Sequence, residues 1–406
     1  MYIRRHMEVA IKKLGAFYPV VLVTGARQVG KSTVLQNLFA DLPYITMDND
    51  LSFKSLQSDP VGYLEQLGYP LIVDEIQRVP ASFINFKYLV DKIAGRGMYF
   101  LTGSQKFALM KGVSDSLSGR IGVLELLGLS NREINNDGCD LPFLPSSGYI
   151  SGRGKCVHLG PQKLWERIHR GFFPRLYAEP NLPVEDFYAA YVDTYLTRDV
   201  RQLQQVGNLL AFQQFMTALA ARSGQLLNLA SLGREVGIDQ RTAKQWLSIL
   251  EASNVIYLLS PFGLNVTKRI VKTPKVYFLD TGLVCYLCGW SSPLTASRGA
   301  MSGQLFETYV IGEIMKSYRN CGRTPRMYFY RDSHSVEIDL MLYEDNVLYP
   351  VEIKRTGTPE GKDAKSFGLL AEAYPSVQIG EGAVICNCGE IGFLAPGVRA
   401  LPVEMI

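Results

Sequence analysis

Three short apolar runs organise the first third of the chain. Residues 20–24 (VVLVT), Leu71 to Val73 and residues 98–104 (MYFLTGS) are each built on consecutive apolar residues, with polar residues at or just after the end. Runs without alternation predict strands buried on both faces, as in a parallel sheet. Stretches with helical spacing, such as 31–42 (KSTVLQNLFADL), separate them. Together they predict a doubly wound α/β domain whose ligand lies at the carboxyl ends of the strands.

The pattern changes at residues 138–160, which are rich in Gly, Pro and Ser and mark the end of a first domain, 1–158. Aromatic helical segments follow at 164–177 and 187–205. Residues 228–259 then read as a helix capped by Asn228, a turn at Gly237 and a second helix capped by Asp239. On the second helix Ala243, Trp246, Leu247 and Leu250 share one face, with Gln240, Arg241, Lys244, Gln245 and Ser248 outward. This is helix-turn-helix grammar, and apolar strands near 255–259 and 275–279 flank a segment with Lys268, Arg269 and Lys272 that would form a basic wing. The middle domain, 159–298, is therefore expected to be helical with a winged helix. A third domain, 299–406, opens with an amphipathic helix at 303–317 and continues as strands at 326–332, 335–345 and 346–356.

Composition fits several globular domains in 406 residues: 47% are apolar and 20% charged, without low-complexity tracts. Forty-two basic residues against 38 acidic give a net charge of +4, so any nucleic-acid surface must be local. The amino terminus reads as an amphipathic helix and no run approaches a membrane span, which predicts a protein without membrane contact. Seven cysteines, an odd number, favour a reducing cytoplasm. Cys285, Cys288, Cys386 and Cys388 offer four thiols for zinc, but Cys285 and Cys288 sit in an apolar helix-like run where cysteine acts as a small core residue.

Residues 25–32 fit G-x-x-x-x-G-K-[ST] in full, between a strand and a helix. In the loop Gly25, Ala26, Arg27, Gln28, Val29, Gly30, Lys31, Ser32 and Thr33, the glycines let backbone N–H groups turn toward a β-phosphate. Lys31 would bridge the β- and γ-phosphates, Ser32 would ligate Mg²⁺ and Thr33 would lie by the base or α-phosphate. Asp74 would join the Mg²⁺ shell, and Glu75 would polarise the attacking water. Thr102 or Ser104 is placed to sense the γ-phosphate. Arg120 reads either as an arginine finger, from the same chain or a neighbour, or as a structural ion pair. Arg27 could meet phosphate or a carboxylate such as Asp48 or Asp50.

The segments GARQVGKST, LIVDEIQRVP, LTGSQ and SLSGR, with YLTRDV and YFLDTGL further on, resemble a family of prokaryotic predicted ATPases of the AAA superfamily across nearly the whole chain. The family often has Pro where this chain has Ala26, a departure that leaves the phosphate cradle intact. The resemblance implies ATP as nucleotide, hydrolysis as activity, and a carboxyl-terminal region with a winged helix and a restriction-endonuclease-like fold. Tyr195, Arg198 and Asp199 match a recurrent motif of that family, with domain joining as their expected job.

The last domain carries a second candidate site. Glu352 and Lys354 should project to the same side of their strand, beside Asp339 on the preceding one, with Glu307 on the helix. Asp, then Glu-x-Lys, is the pattern of restriction-endonuclease-like folds, in which two carboxylates bridge Mg²⁺ and a lysine orients water. The alternative is a salt-bridged strand on a scaffold that only binds. The whole reads as a Mg²⁺-dependent ATPase controlling a region that acts on DNA through Arg241, Lys244, Lys268 and Arg269, with self-association left open. The alternatives are a nucleotide-gated DNA- or protein-binding switch without nuclease activity, and an ATP-gated nuclease.

Overall fold

A computed structural model describes residues 2–104, 116–154, 156–195, 208–263, 273–332 and 334–406. Arg198, Asp199, Lys268, Arg269 and Lys272 lie outside these residues. The chain divides into two compact units. The first holds Met1–Leu129, Ala252–Asn254 and Arg319–Arg323; the second holds Ser130–Glu251, Val255–Tyr318 and Thr324–Ile406.

In the first unit the apolar runs become β1 (Val20–Thr24), β3 (Leu71–Asp74) and β4 (Tyr99–Gly103), every residue of them buried. With β2 (Tyr44–Thr46) and β5 (Ile121–Glu125) they form a five-stranded parallel sheet in the order β2-β3-β4-β1-β5. Val20, Leu22, Leu71, Val73, Tyr99 and Leu101 share a core with Phe83, Phe86 and Leu89 of the helix Phe83–Ile93. Alternate residues turn to the other face, where Phe100 meets Phe39, ring centroids 4.2 Å apart. The expected amino-terminal helix forms over Met7–Phe17 and buries Met7, Ala10 and Ile11.

Register gathers the strand ends. Thr24 is level with Gly103 and Glu125, and Thr46 with Asp74, so the loop after β1 opens at the same sheet edge as Asp74 and Ser104. Arg120 precedes Ile121, which pairs with Val20 at the opposite edge.

The second unit begins earlier than the composition break suggests. Arg132 donates from Nε to the Ile406 carbonyl at 2.9 Å and Tyr149 from its hydroxyl to that of Met405 at 2.5 Å, so residues 130–154 pack with the carboxyl-terminal residues of this chain. Asp280 pins the helical part: its carboxylate accepts from Phe172 N, Leu283 N and the Tyr188 hydroxyl at 2.7, 2.8 and 2.6 Å. Next come the helix Leu209–Ala220, β6 (Gln225–Leu226), the helices Leu229–Val236 and Gln240–Ala252, β7 (Ile256–Leu259) and β8 (Lys275–Phe278). The three strands form an antiparallel sheet, β6-β8-β7, and Trp246 packs edge-on to Phe212 and Phe215.

The helix Ser302–Asn320 leads into a mixed sheet of β9 (Met327–Arg331), β10 (Glu337–Glu344), β11 (Val347–Lys354), β12 (Gln378–Ile379), β13 (Gly382–Cys386), β14 (Gly392–Ala395) and β15 (Val398–Pro402). Its order is β14-β15-β13-β11-β10-β9, with β12 on β11. Among the described residues no helix is long and apolar enough to cross a membrane.

Candidate nucleotide site and a second charged cluster

The loop after β1 is shaped by its neighbours. A Cβ at Gly25 would stand 2.1 Å from the Leu126 carbonyl, so only glycine fits beside β5. Gly30, at φ 91°, starts the helix Lys31–Leu38 without a side-chain cap, leaving its first turn suited to an anion. Lys31 is buried and donates from Nζ to the carbonyls of Ala26 at 2.8 Å and Gly25 at 3.1 Å. Arg5, buried, donates to the carbonyls of Val29 and Leu127 at 2.8 and 2.7 Å, stapling the loop to the chain beyond β5. Nothing in the scattered charges of the first residues singled out Arg5. Thr33 lies exposed on the first turn.

Asp74 is the hub at the ends of the strands. Its Oδ1 accepts from Ser32 Oγ at 2.6 Å and from Thr102 Oγ1, and its Oδ2 accepts from the Tyr44 hydroxyl at 2.8 Å. Burial, with Asp74 alongside, pushes the Tyr44 phenol well above its usual range. Glu75 stands at φ 56°, a conformation uncommon for a residue with a side chain, with its amide donating to Thr102 Oγ1 at 3.2 Å. The Gln77 amide donates both to Glu75 Oε2 and, at 3.2 Å, to Ser104 Oγ. Of the two sensor candidates, Thr102 is thus committed to Asp74, and Ser104 reaches Glu75 through Gln77. Tyr44 and Gln77 were not anticipated, since neither belongs to a motif.

A second group of charges lies in the second unit. The register Leu340↔Val351, continued one step, sets Asp339 opposite Glu352, so both project to one face. Asp339 Oδ2 accepts from Ile353 N at 2.9 Å, and Lys354 donates from Nζ to Glu352 Oε1 at 2.5 Å. Glu307 is also here, but its Oε1 accepts from Lys275 Nζ at 3.0 Å and the Tyr277 hydroxyl at 2.5 Å. Lys275 further pairs with Glu337 Oε1 at 2.5 Å. Burial, then the charge of Asp339, pushes Glu352 up to about 8 and Glu307 up to about 7. For Lys275, burial opposes the charge, and Glu307, Asp339 and Glu337 together outweigh it, raising its pKa. Among the described residues no three of His, Cys, Asp or Glu form a metal-holding group. Sequence reasoning missed Lys275, Tyr277 and Glu337.

Comparison with known proteins bears on the loop site. A family model for an AAA domain matches residues 18–135, and models for two domains of unknown function, DUF8612 and DUF4143, match 161–294 and 302–406. Uncharacterized proteins of Mycobacterium tuberculosis and Mycobacterium bovis are each 30% identical to the chain over 390 residues, covering 96% of it and 81% of their own length. The chain belongs to the P-loop ATPases of the AAA superfamily. Among solved structures, a Walker-type ATPase of Pyrococcus abyssi aligns with a TM-score of 0.44 and 15% identity, over 71% of this chain and 96% of that one.

In this ATPase, Arg120 forms a fork with Asp91, Nε to Oδ1 at 2.5 Å and Nη2 to Oδ2 at 3.0 Å, at the sheet edge away from the loop. The ion pair, one of the two readings of Arg120, is thus present in this structure. Asp48 meets Arg78 at 2.8 Å. In the second unit, Asn228 caps its helix through Ser231 N, and Asp239 accepts from the amides of Arg241 and Thr242. Arg241 and Lys244 are exposed, while Ala243, Trp246, Leu247 and Leu250 are buried. All seven cysteines are free thiols, with Cys285 in the core.

Proposed function

We propose that this ATPase hydrolyses ATP with Mg²⁺ at the loop 25–33 and uses its nucleotide state to control a DNA-binding second unit. The contact of Ser32 with Asp74, beside Glu75, carries the reading. Two hard oxygens side by side suit Mg²⁺, and Ser32 and Asp74 would hold it. Mg²⁺ held there would neutralise charge on the phosphate oxygens. Lys31 exchanges the carbonyls of Gly25 and Ala26 for the β- and γ-phosphates, and the open first turn from Lys31 receives the β-phosphate. Glu75 accepts the proton of the attacking water, once Gln77 has aimed its carboxylate. Ser104, joined to Gln77, is the candidate γ-phosphate sensor.

The order helix, strand, two helices, then two strands supports a winged-helix reading of residues 209–278. Arg241 and Lys244 would then contact the DNA backbone. Asp339 opposite Glu352, with Lys354, supports a restriction-endonuclease-like scaffold serving as a binding surface. An arginine-finger role for Arg120, from the same chain or a neighbour, would need its release from Asp91.

The deciding experiment measures ATP affinity and turnover, with and without DNA, in the wild type and in Glu75→Gln. Glu75→Gln should bind ATP normally while turnover falls about 100-fold or more. Unchanged turnover would remove Glu75 as the base. Turnover indifferent to DNA, with binding unaffected by Arg241→Ala and Lys244→Ala together, would remove DNA from the proposal.

A further inference from the structure

We infer that Lys275 is the resident cation of the acid cluster in the second unit, and that this cluster takes up a divalent metal ion only when the Lys275 ammonium is withdrawn. The lysine is foreign to the sheet that carries most of the acids. It stands on β8, in the small antiparallel sheet, whereas Glu337 and Asp339 lie on β10, Glu352 on β11, and Glu307 on the helix Ser302–Asn320. Its side chain is only 4% exposed, in a residue type that is rarely buried without a partner. Its Nζ lies 3.0 Å from Glu307 and 2.5 Å from Glu337, and 5.7 Å from the centre of the Phe329 ring. Tyr277, two residues on and therefore on the same side of β8, places its hydroxyl on the same Glu307 oxygen at 2.5 Å. One strand thus delivers two donors to one helical acid.

Competition follows from the chemistry of the donors. A divalent ion needs several oxygens at about 2.0–2.6 Å. Here Glu307 is held by Lys275 and Tyr277, Asp339 Oδ2 by the Ile353 amide, and Glu352 Oε1 by Lys354. An ammonium and a dication sharing Glu307 would repel each other inside a region of low dielectric. The cluster is nevertheless one donor short: Glu352 is buried, and its Oε2 has no hydrogen-bond donor in the structure. An acceptor left in that condition is costly, and it faces the side of the sheet where Asp339 lies. With Lys275 in place no three of these acids form a metal-holding group, and the cation they hold is its ammonium. As long as Lys275 stays, metal-dependent cleavage by Asp339, Glu352 and Lys354 is closed. Alternate residues of one strand move together, so displacement of β8 would remove Lys275 and Tyr277 at once. The inference does not depend on ATP hydrolysis or on DNA binding.

The test titrates the full chain, free of nucleotide, with Mn²⁺ and follows binding by electron paramagnetic resonance. The wild type and Asp339→Ala should bind Mn²⁺ alike, because the cluster holds none. Lys275→Met should gain one site at least tenfold tighter than any in the wild type, and adding Asp339→Ala should erase it. A wild-type site that disappears in Asp339→Ala would overturn the inference, as would a folded Lys275→Met that gains nothing. If Lys275→Met does not fold, Lys275→Met with Glu307→Gln removes both members of the buried pair and leaves Asp339 and Glu352 to bind the ion. The same gain is expected there, and its absence would overturn the inference as well.

Discussion

The loop of the first unit and the acid cluster of the second are built from the same materials, a buried lysine, carboxylates on strands and hydroxyl groups, yet they are wired in opposite ways. Lys31 donates to two backbone carbonyls of its own loop, those of Gly25 and Ala26. Lys275 is fixed by two carboxylates, Glu307 and Glu337. A lysine that donates to the carbonyls of a phosphate-binding loop is placed for that loop's ligand, whereas one fixed between two carboxylates has already spent its attraction. Having the residues for a site is therefore not the same as having the site open.

The sharpest way to break the contrast is Lys31→Ala, which should lower ATP affinity at least 100-fold by direct titration; retained binding would show that the loop amides suffice. A second comparison sets Lys275→Met against Lys31→Met in nucleotide-free protein. Loss of Lys275 leaves Glu307 buried without its cation and should cost about 3–5 kcal/mol, read as lost hydrogen-exchange protection in the second unit. Lys31→Met removes charge-assisted hydrogen bonds to two carbonyls and should cost less, about 1.5–3 kcal/mol. Equal costs would collapse the distinction.

A smaller effect concerns pH. The folded-state pKa values of Glu352 and Glu307, about 8 and about 7, lie above the ordinary 4.5. Between these values the folded protein holds more protons than the unfolded one, so stability is fully present below about 4.5 and declines as pH rises through 7 to 8. Glu352→Gln should flatten the upper part of that decline in a denaturation series. The smallest expected change is for Gln77→Ala, which should reduce kcat several-fold with ATP affinity intact, because only the aim of Glu75 is lost. A change in affinity instead would make Gln77 part of the nucleotide pocket.

What could be read in the sequence follows from distance along the chain. The loop, Asp74 with Glu75, and the caps Asn228 and Asp239 are local patterns, each set within a few residues. Glu352 and Lys354 on one side of a strand follow from a period of two. The missing parts are long-range: Tyr44 reaches Asp74 across 30 positions, Lys275 reaches Glu307 across 32, and Arg132 reaches Ile406 across 274. The placement of Arg120 needed the parallel register of β1 and β5, which apolar runs do not encode. The Gly, Pro and Ser content at 138–160 suggested a boundary there, although Arg132, Tyr149 and Arg153 lie with residues 404–406.

The ion pair of Lys275 with Glu307 and Glu337 also bears on inheritance. One family model ends at residue 294 and the next begins at 302, with the lysine in one segment and its acids in the other. A shuffled gene that took either segment from a relative with different residues at these positions would strand a buried charge on one side of the joint. A chimera joining the two segments should therefore lose stability unless it carries Lys275, Glu307 and Glu337 together.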